Sequence, residues 1–338
     1  MIKTTILDAT HENIIYCSDL LKHGEVVAMP TETVYGLAAN VFNDKAISKI
    51  FKIKGRPQDN PLICHISNLN MLNELMIDTN SKIFQKLVDK FWPGPLTIIV
   101  SKKADVSNLI TANLDTVAIR FPSHGVSRKL IESCGFPLAA PSANLSGKPS
   151  PTSANHVYDD LNGRVKAILD GGICEVGLES TIIKIDDDLL RVLRPGIISI
   201  DMLKEVTENI VLDDSVLNQM DSNSTVISPG TKYKHYSPNA DIVLVDGTLD
   251  KFKTYVDDKL SEDVWCVVFD GEDKFFDKNV LTFGYNEKDQ AHNIFMILRK
   301  IDKLGANKVF FRCPKKENVG LAVYNRLIRA AGFNMVVL

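Results

Sequence analysis

Two short stretches of this 338-residue chain concentrate side chains suited to anion chemistry. In the first, Lys52-Ile53-Lys54-Gly55-Arg56-Pro57-Gln58-Asp59-Asn60-Pro61-Leu62, three cations leave a helix end and are held by Gly and Pro punctuation. Lysine offers a compact point charge and arginine a planar fork of donors, a combination suited to phosphate oxygens that gain charge during a displacement. Taken alone, the same cations would be explained as a solvated helix terminus offsetting the negative end of the macrodipole. In the second stretch, Pro141-Ser142-Ala143-Asn144-Leu145-Ser146-Gly147-Lys148-Pro149-Ser150-Pro151-Thr152, small hydroxyl and amide residues follow the apolar Leu138-Ala139-Ala140. A loop of that kind at a strand end can offer N–H groups and hydroxyls to a nucleotide, or it can be only a turn. Gly147-Lys148 runs into Pro149, so an ATP site here is not a P-loop.

Three smaller groups set polar side chains beside a glycine at the edge of an apolar run: Pro30-Thr31-Glu32-Thr33-Val34-Tyr35-Gly36-Leu37, Gly177-Leu178-Glu179-Ser180-Thr181 and Leu193-Arg194-Pro195-Gly196. His65 lies inside a strand-like run, where a lone histidine is more often a satisfied structural residue than a ligand.

Alternating elements are needed to hold these loops. A helix over Glu12 to His23 ends at Gly24, and Val26 to Met29 reads as a buried strand stopped by Pro30. Asp44 is the expected N-cap of a helix over Lys45 to Ile53, with Ile47, Ile50 and Phe51 on its apolar face. That reading leaves Lys54 and Arg56 on a polar loop, outside any core. Further strands are expected at Leu62 to Ser67, Leu96 to Val100, Thr116 to Arg120, Ala167 to Asp170 and Thr181 to Ile185, with helices near Lys82 to Lys90 and Ser127 to Cys134. Together they predict an α/β sheet domain over residues 1–210.

Residues 211–240 change character, with Asp, Ser and Asn leading into Ser228-Pro229-Gly230 and Ser237-Pro238-Asn239, and read as an interdomain linker. Over 241–338, strands at Ile242 to Val245, Val264 to Phe269 and Val309 to Phe311 alternate with helices near Leu249 to Leu260, Asp289 to Leu304 and Leu321 to Ala330. That pattern predicts a smaller parallel-sheet domain of Rossmann-like layering. It carries no G-x-G-x-x-G, so dinucleotide binding is not supported.

Composition bounds the function. With 45% hydrophobic and 24% charged residues the chain is an ordinary globular one, long enough for two cores. A formal charge of -3 gives no global attraction to nucleic acid or to an anionic membrane, so a polyanion must be met by a local patch. Six scattered cysteines form no C-x-x-C pair and read as buried reduced thiols. No apolar run approaches the ~20 residues of a membrane helix, and the expected compartment is the cytoplasm.

In order along the chain, the segments from Pro30 to Gly196 resemble the YrdC-domain family, and the two-part layout resembles its longer form. The carrying motifs are P-T-E-T-V-Y-G-L, K-G-R-P-x-x-N-P-L at Lys54 to Leu62, F-W-P-G-P-L-T at Phe91 to Thr97, A-I-R-F-P at Ala118 to Pro122 and P-S-A-N-x-S-G at Pro141 to Gly147. E-S-T at Glu179 to Thr181 and R-P-G at Arg194 to Gly196 complete the series. The family's K-x-R and S-x-N signature falls on Lys54, Arg56, Ser142 and Asn144. Ala38, where glycine is frequent, and Lys184, where an acidic residue is frequent, depart from the pattern.

The resemblance implies a twisted, mixed open sheet around a cavity, and a nucleotidyltransferase reaction. L-threonine, bicarbonate and ATP, with Mg²⁺, would give L-threonylcarbamoyl-AMP and pyrophosphate, the product passing to a separate transferase complex that modifies tRNA. It places catalysis on Lys54, Arg56, Ser142 and Asn144, and threonine near Thr33, His65, Arg120, Ala140 and Ser180. ATP falls to Arg56, Asn60, Thr116, Ser142, Ser150, Arg194 and Tyr236. No protein side chain is assigned to the metal. Lys232-Tyr233-Lys234-His235-Tyr236-Ser237-Pro238 matches the family's segment across the cavity mouth, which makes the linker an expected lid.

Two other readings compete. The cationic loop and a concave sheet could bind double-stranded RNA or tRNA through phosphates, if only weakly. Hydrogenase-maturation carbamoyltransferases carry a similar domain, but with zinc-finger segments whose C-x-x-C is missing here.

Overall fold

A computed structural model describes residues 2–77, 81–218 and 236–338. Of the expected linker and lid, residues 219–235, with Lys232 to His235 among them, lie outside the described residues. The described chain clusters into two compact units: residues up to 146, 150–175 and 179–218 in the first, and residues 147–149, 176–178 and 236–338 in the second.

In chain order the first unit contains β1 (Thr5–Asp8), α1 (His11–Lys22), β2 (Val27–Met29), β3 (Gly36–Asn40), α2 (Asp44–Lys54), β4 (Ile63–His65), α3 (Leu72–Leu75), α4 (Lys82–Phe91), β5 (Leu96–Ser101), α5 (Asn108–Thr111), β6 (Thr116–Arg120), α6 (Gly125–Cys134) and β7 (Leu138–Ala139). It continues with α7 (Ala154–Leu161), β8 (Ala167–Asp170), β9 (Thr181–Asp186), β10 (Leu189–Arg194), α8 (Ile200–Lys204) and β11 (Ile210–Leu212). The strands form one 11-stranded mixed sheet in the order β1-β8-β2-β3-β7-β4-β6-β5-β9-β10-β11. The boundary expected at residue 210 therefore falls at the start of β11, which pairs parallel with β10 from Ile210 to Leu212.

Side-chain alternation divides the middle of this sheet into two faces. Cys64 of β4, Ile98 of β5, Val117 and Ile119 of β6, Ile183 of β9 and Val192 of β10 point into the main core. The intervening Ile63, Ala118, Ile99, Ile182 and Leu193 form a separate, small apolar cluster on the other face. Beside it runs a polar row: β4 pairs His65 with Arg120, and β5 pairs Thr97 with Arg120.

The cap of α2 is Asn43, whose side chain accepts from the Ala46 N–H at 3.1 Å, so Asp44 is the first helical residue and the cap expected there is displaced by one. Asn wins because it needs no helical backbone itself and its amide oxygen reaches the third N–H. The helix stops at Gly55, held at φ 62°, with Arg56 N–H returning to the Phe51 carbonyl at 3.0 Å. This left-handed stop is a position that favours glycine.

The second unit holds β12 (Asp241–Asp246), α9 (Leu249–Val256), β13 (Val264–Val268), β14 (Val280–Thr282), α10 (Glu287–Lys303), β15 (Lys308–Arg312), α11 (Asn318–Ala330) and β16 (Met335–Val337). All its strand pairs are parallel, in the order β14-β13-β15-β12-β16. Ile294, Ile297, Leu298 and Ile301 of α10 are buried as their spacing demands, whereas Leu304, expected on the same stripe, is 42% exposed at the helix end.

Candidate active site

The loop after β2 is closed by Thr31, whose hydroxyl donates to the Val34 carbonyl at 2.6 Å and accepts from the Thr33 N–H at 3.2 Å. That turn aims Glu32 and Thr33, both buried, at the end of β6. There Arg120 donates from NH1 to Thr33 Oγ1 at 2.8 Å, and its NH2 stands 2.8 Å from Glu32 Oε1 in a pair whose side chains are each 4% exposed. The Glu32 contact is close but poorly directed, and Arg120 Nε and NH2 make no well-aligned hydrogen bond. Burial pushes the Glu32 carboxyl up, but the adjacent Arg120 charge outweighs it and leaves the carboxyl below its ordinary value.

His65, next to Arg120 across the sheet, is buried and shares a hydrogen bond of 3.1 Å with the Ile63 carbonyl through Nδ1. Burial, reinforced by the Arg120 charge, pushes its pKa down to about 3, so the ring is neutral near pH 7. On the other side of Arg120, Thr97 Oγ1 and Ser180 Oγ are 2.7 Å apart. Arg194 reaches Ser180 as well, from Nε and NH2 to its carbonyl at 3.1 and 3.0 Å and from NH2 to its hydroxyl at 3.2 Å. The register of β10 against β9 shifts between Val192 and Arg194, an irregularity that bends the end of β10. Gly196 is required for space: a Cβ there would stand 2.5 Å from the Thr181 nitrogen.

The second polar loop is bound to the first by main-chain pairing. Leu37 N–H donates to the Pro141 carbonyl and Ala143 N–H to the Tyr35 carbonyl, both at 2.8 Å, and Ala140 N–H donates to the Ile63 carbonyl at 2.9 Å. Lys54 closes this arrangement. Its ammonium donates to the Ser142 carbonyl and, at 2.6 Å, to that of Asn144. The expectation of a solvated polar loop is corrected here, because Lys54 is the last residue of α2 and 3% exposed. It continues the buried stripe Ile47, Ile50, Phe51 at helical spacing, so the helix itself carries it inward. Burial, and then Arg56, push its pKa well below the ordinary lysine range.

Arg56, two residues on, is half-buried and donates from NH2 to the carbonyls of Asn60 and Pro61 at 3.3 and 3.2 Å. Asn60 is buried with its Oδ1 unpartnered. Ser150 is buried and donates to Glu179 Oε1 at 2.5 Å, beside Ser180 in sequence. Thr116 lies at the far end of β6 from Arg120, on the same face but ~13 Å away at ~3.3 Å per residue, with Ala118 between. Tyr236 belongs to the second unit, where it is buried at φ 64° with its ring 5.2 Å from that of Phe295 and 5.8 Å from the Arg326 guanidinium.

The structure thus gathers Thr33, His65, Arg120, Ala140, Ser180 and Arg194 around one row of the first sheet, and joins Lys54 to Ser142 and Asn144. Sequence reasoning missed Glu32, Thr97 and Glu179 as members, although each sits inside a motif that carries the family resemblance. The two departures are accommodated: Ala38 is buried in β3, and Lys184 of β9 pairs with Asp186 at 2.6 Å. Among the described residues, no group of three or more His, Cys, Asp or Glu side chains converges as a metal site, and no helix is long and apolar enough to cross a membrane.

Residues 19–196 match the family model Sua5/YciO/YrdC, described as telomere recombination, and residues 198–332 match that of the threonylcarbamoyl-AMP synthase C-terminal domain. The chain belongs to the Sua5/YciO/YrdC family. The threonylcarbamoyl-AMP synthase of Pyrococcus abyssi is 39% identical over 319 residues, covering 94% of this chain and 93% of that one. That of Bacillus subtilis is 39% identical over 339 residues, covering 98% and 97%. The crystal structure of P. abyssi Sua5 complexed with L-threonine matches with a TM-score of 0.92 at 36% identity, over 100% of this chain and 99% of that one.

Proposed function

We propose that this chain is an L-threonylcarbamoyladenylate synthase, a nucleotidyltransferase acting on L-threonine, bicarbonate and ATP. The observation that carries the reading is the buried Arg120 guanidinium, with N–H donors left open beside Thr33, Thr97 and Ser180. A desolvated guanidinium with open donors suits the carboxylate of an amino acid, and the hydroxyls beside it suit a small polar side chain. Relatives of nearly the same length bear the synthase name, which supports the same reading.

In this reaction the threonine amine adds to the bicarbonate carbon and water leaves, giving a carbamate. A carbamate oxygen then attacks the α-phosphorus, and the bond from that phosphorus to the bridging oxygen of the departing pyrophosphate breaks. The carbamate is short-lived, so holding it against the nucleotide away from water is the main task of the site. Arg120, with Thr33, His65, Ala140 and Ser180, holds threonine; neutral His65 adds no positive charge to compete for the carboxylate. Arg56, Asn60, Thr116, Ser142, Ser150 and Arg194 face ATP, Thr116 from the far end of β6. Tyr236 is a further nucleotide contact in this reading.

Lys54 and Asn144 act by fixing the Ser142 loop. The carboxylates nearest the site, Glu32 and Glu179, already face Arg120 and Ser150, a donor set that does not fit a protein-held cation. Mg²⁺ is therefore assigned to the ATP phosphates. The product would pass to a transferase complex that modifies tRNA in the cytoplasm. Direct RNA binding through the K-x-K-x-R stretch is disfavoured because one of its three cations, Lys54, is buried.

Pyrophosphate release from ATP tests the reading. Release is expected only with both L-threonine and bicarbonate; equal release with L-serine, or with no amino acid, refutes the assignment.

A further inference from the structure

We infer that Glu32 is a positioning residue for the amino-acid substrate, acting through Arg120, which it holds so that the open edge of the guanidinium faces the site. The inference rests on the threonine reading and adds to it a residue with no assigned role.

Glu32 and Thr33 are consecutive and approach the guanidinium together. Thr33 Oγ1 takes NH1 and Glu32 Oε1 stands against NH2, both at 2.8 Å. Two partners on one rigid turn fix the plane of the guanidinium as one could not, and the turn is itself tied by Thr31. Nε, on the opposite edge, is left without a hydrogen bond. The ladder fixes the base of the side chain, because Arg120 pairs with His65 on one side and Thr97 on the other. Backbone register and the Glu32-Thr33 clamp thus determine between them where the open donors point.

The Glu32 charge has a second consequence. Arg120 is 3% exposed, and a lone cation at that depth would be costly even before a ligand arrives. Glu32 neutralises it at NH2, in a contact that is close but poorly directed, and leaves Nε without a partner. The guanidinium is thereby held oriented and available to a carboxylate.

The test is the steady-state pyrophosphate assay and isothermal titration with L-threonine, applied to Glu32→Gln, Arg120→Gln and the double variant. Glu32→Gln keeps the shape and removes the charge. Its KM and Kd for threonine should rise at least about tenfold, while KM for ATP changes less than about twofold. In the Arg120→Gln background, adding Glu32→Gln should have no further effect on threonine affinity, since the residue it acts through is gone. Glu32→Asp should recover part of the loss.

A purely structural Glu32 would raise both Michaelis constants together with a fall in thermal midpoint, or would cost the same in both backgrounds; either result overturns the inference. If Glu32→Gln proves too unstable to assay, Glu32→Asp decides: its KM for threonine should rise severalfold with KM for ATP unchanged, and an unchanged KM for threonine overturns the inference. A wild-type chain that binds no threonine refutes the functional reading itself and this inference with it. A wild-type chain that binds threonine, with Glu32→Gln binding it equally well, refutes the inference alone.

Discussion

Both sheets of this molecule carry buried arginines at strand ends, and the two are used differently. In the second unit, Arg312 at the end of β15 meets Glu272 through Nε and NH2 at 3.1 and 3.2 Å, gives NH1 to the Gly247 carbonyl at 2.5 Å, and lies between the rings of Phe252 and Phe269. Each nitrogen of that guanidinium has a partner. In the first unit, Arg120 meets its glutamate at one nitrogen, off-axis, and keeps donors in reserve. On the proposed reading, a saturated guanidinium is a structural part, whereas an unsaturated one at similar burial is a binding group. Two arginine–glutamate pairs of similar length therefore predict opposite phenotypes.

The sharpest way to break that contrast is to truncate both. Arg120→Ala should lower kcat/KM for threonine by about a thousandfold, through loss of a desolvated carboxylate contact. Arg312→Ala should leave turnover within about threefold and cost roughly 2–3 kcal/mol of stability, because Glu272 is left without its partner in a partly buried place. Equal catalytic losses in the two would dissolve the distinction.

A second pair lies within the signature. Lys54→Met should abolish turnover and also cost about 2–4 kcal/mol in chemical denaturation, since two carbonyls lose a buried donor. Arg56→Ala, half-buried on its loop, should abolish turnover with a stability change within about 0.5 kcal/mol. An unchanged denaturation midpoint in Lys54→Met would return that lysine to the role of a free charge.

His65 supplies a pH test. Its folded pKa, about 3, is below its ordinary 6.5, so the unfolded chain binds the extra proton first. The contribution of His65 is complete above about pH 6.5 and is lost as pH falls toward 3, with a slope of up to about 1.4 kcal/mol per pH unit. Urea denaturation of His65→Asn over that range should show a shallower acid limb than the wild type. Smallest of all, Gly55→Ala should cost about 1 kcal/mol from its positive φ alone, because a Cβ there meets nothing within 4 Å.

The two units also differ in how much of them is legible in the sequence. Long periodic elements announce themselves: α10 and the β5, β6 and β8 strands lie close to where apolar periodicity puts them. The two-residue β7 and the short β3 do not, because each is fixed by neighbours distant in sequence: β3 pairs with β2 and β7, and β7 with β3 and β4. The site is legible as motifs and less so as roles. Because lysine is rarely buried, sequence reasoning leaves Lys54 in solvent, although its spacing from Ile47, Ile50 and Phe51 places it on the inward stripe. Glu32 escapes notice because a carboxylate between two threonines has no local pattern; only the folded register reveals that its partner is 88 residues away at Arg120.

The cysteines have a practical use that arises from their placement. Cys17, Cys64, Cys134, Cys174 and Cys266 are buried and Cys313 is half-covered, and burial pushes all six thiols up, to about 11 for Cys134 and about 12 for the others. The native protein should therefore react slowly with maleimides, since the thiolate is the reactive form. Cys17, Cys64, Cys134 and Cys174 belong to the first unit and Cys266 and Cys313 to the second. Mass spectrometry of labelled peptides during denaturation would then time-stamp the opening of each unit separately, with no tag or inserted probe.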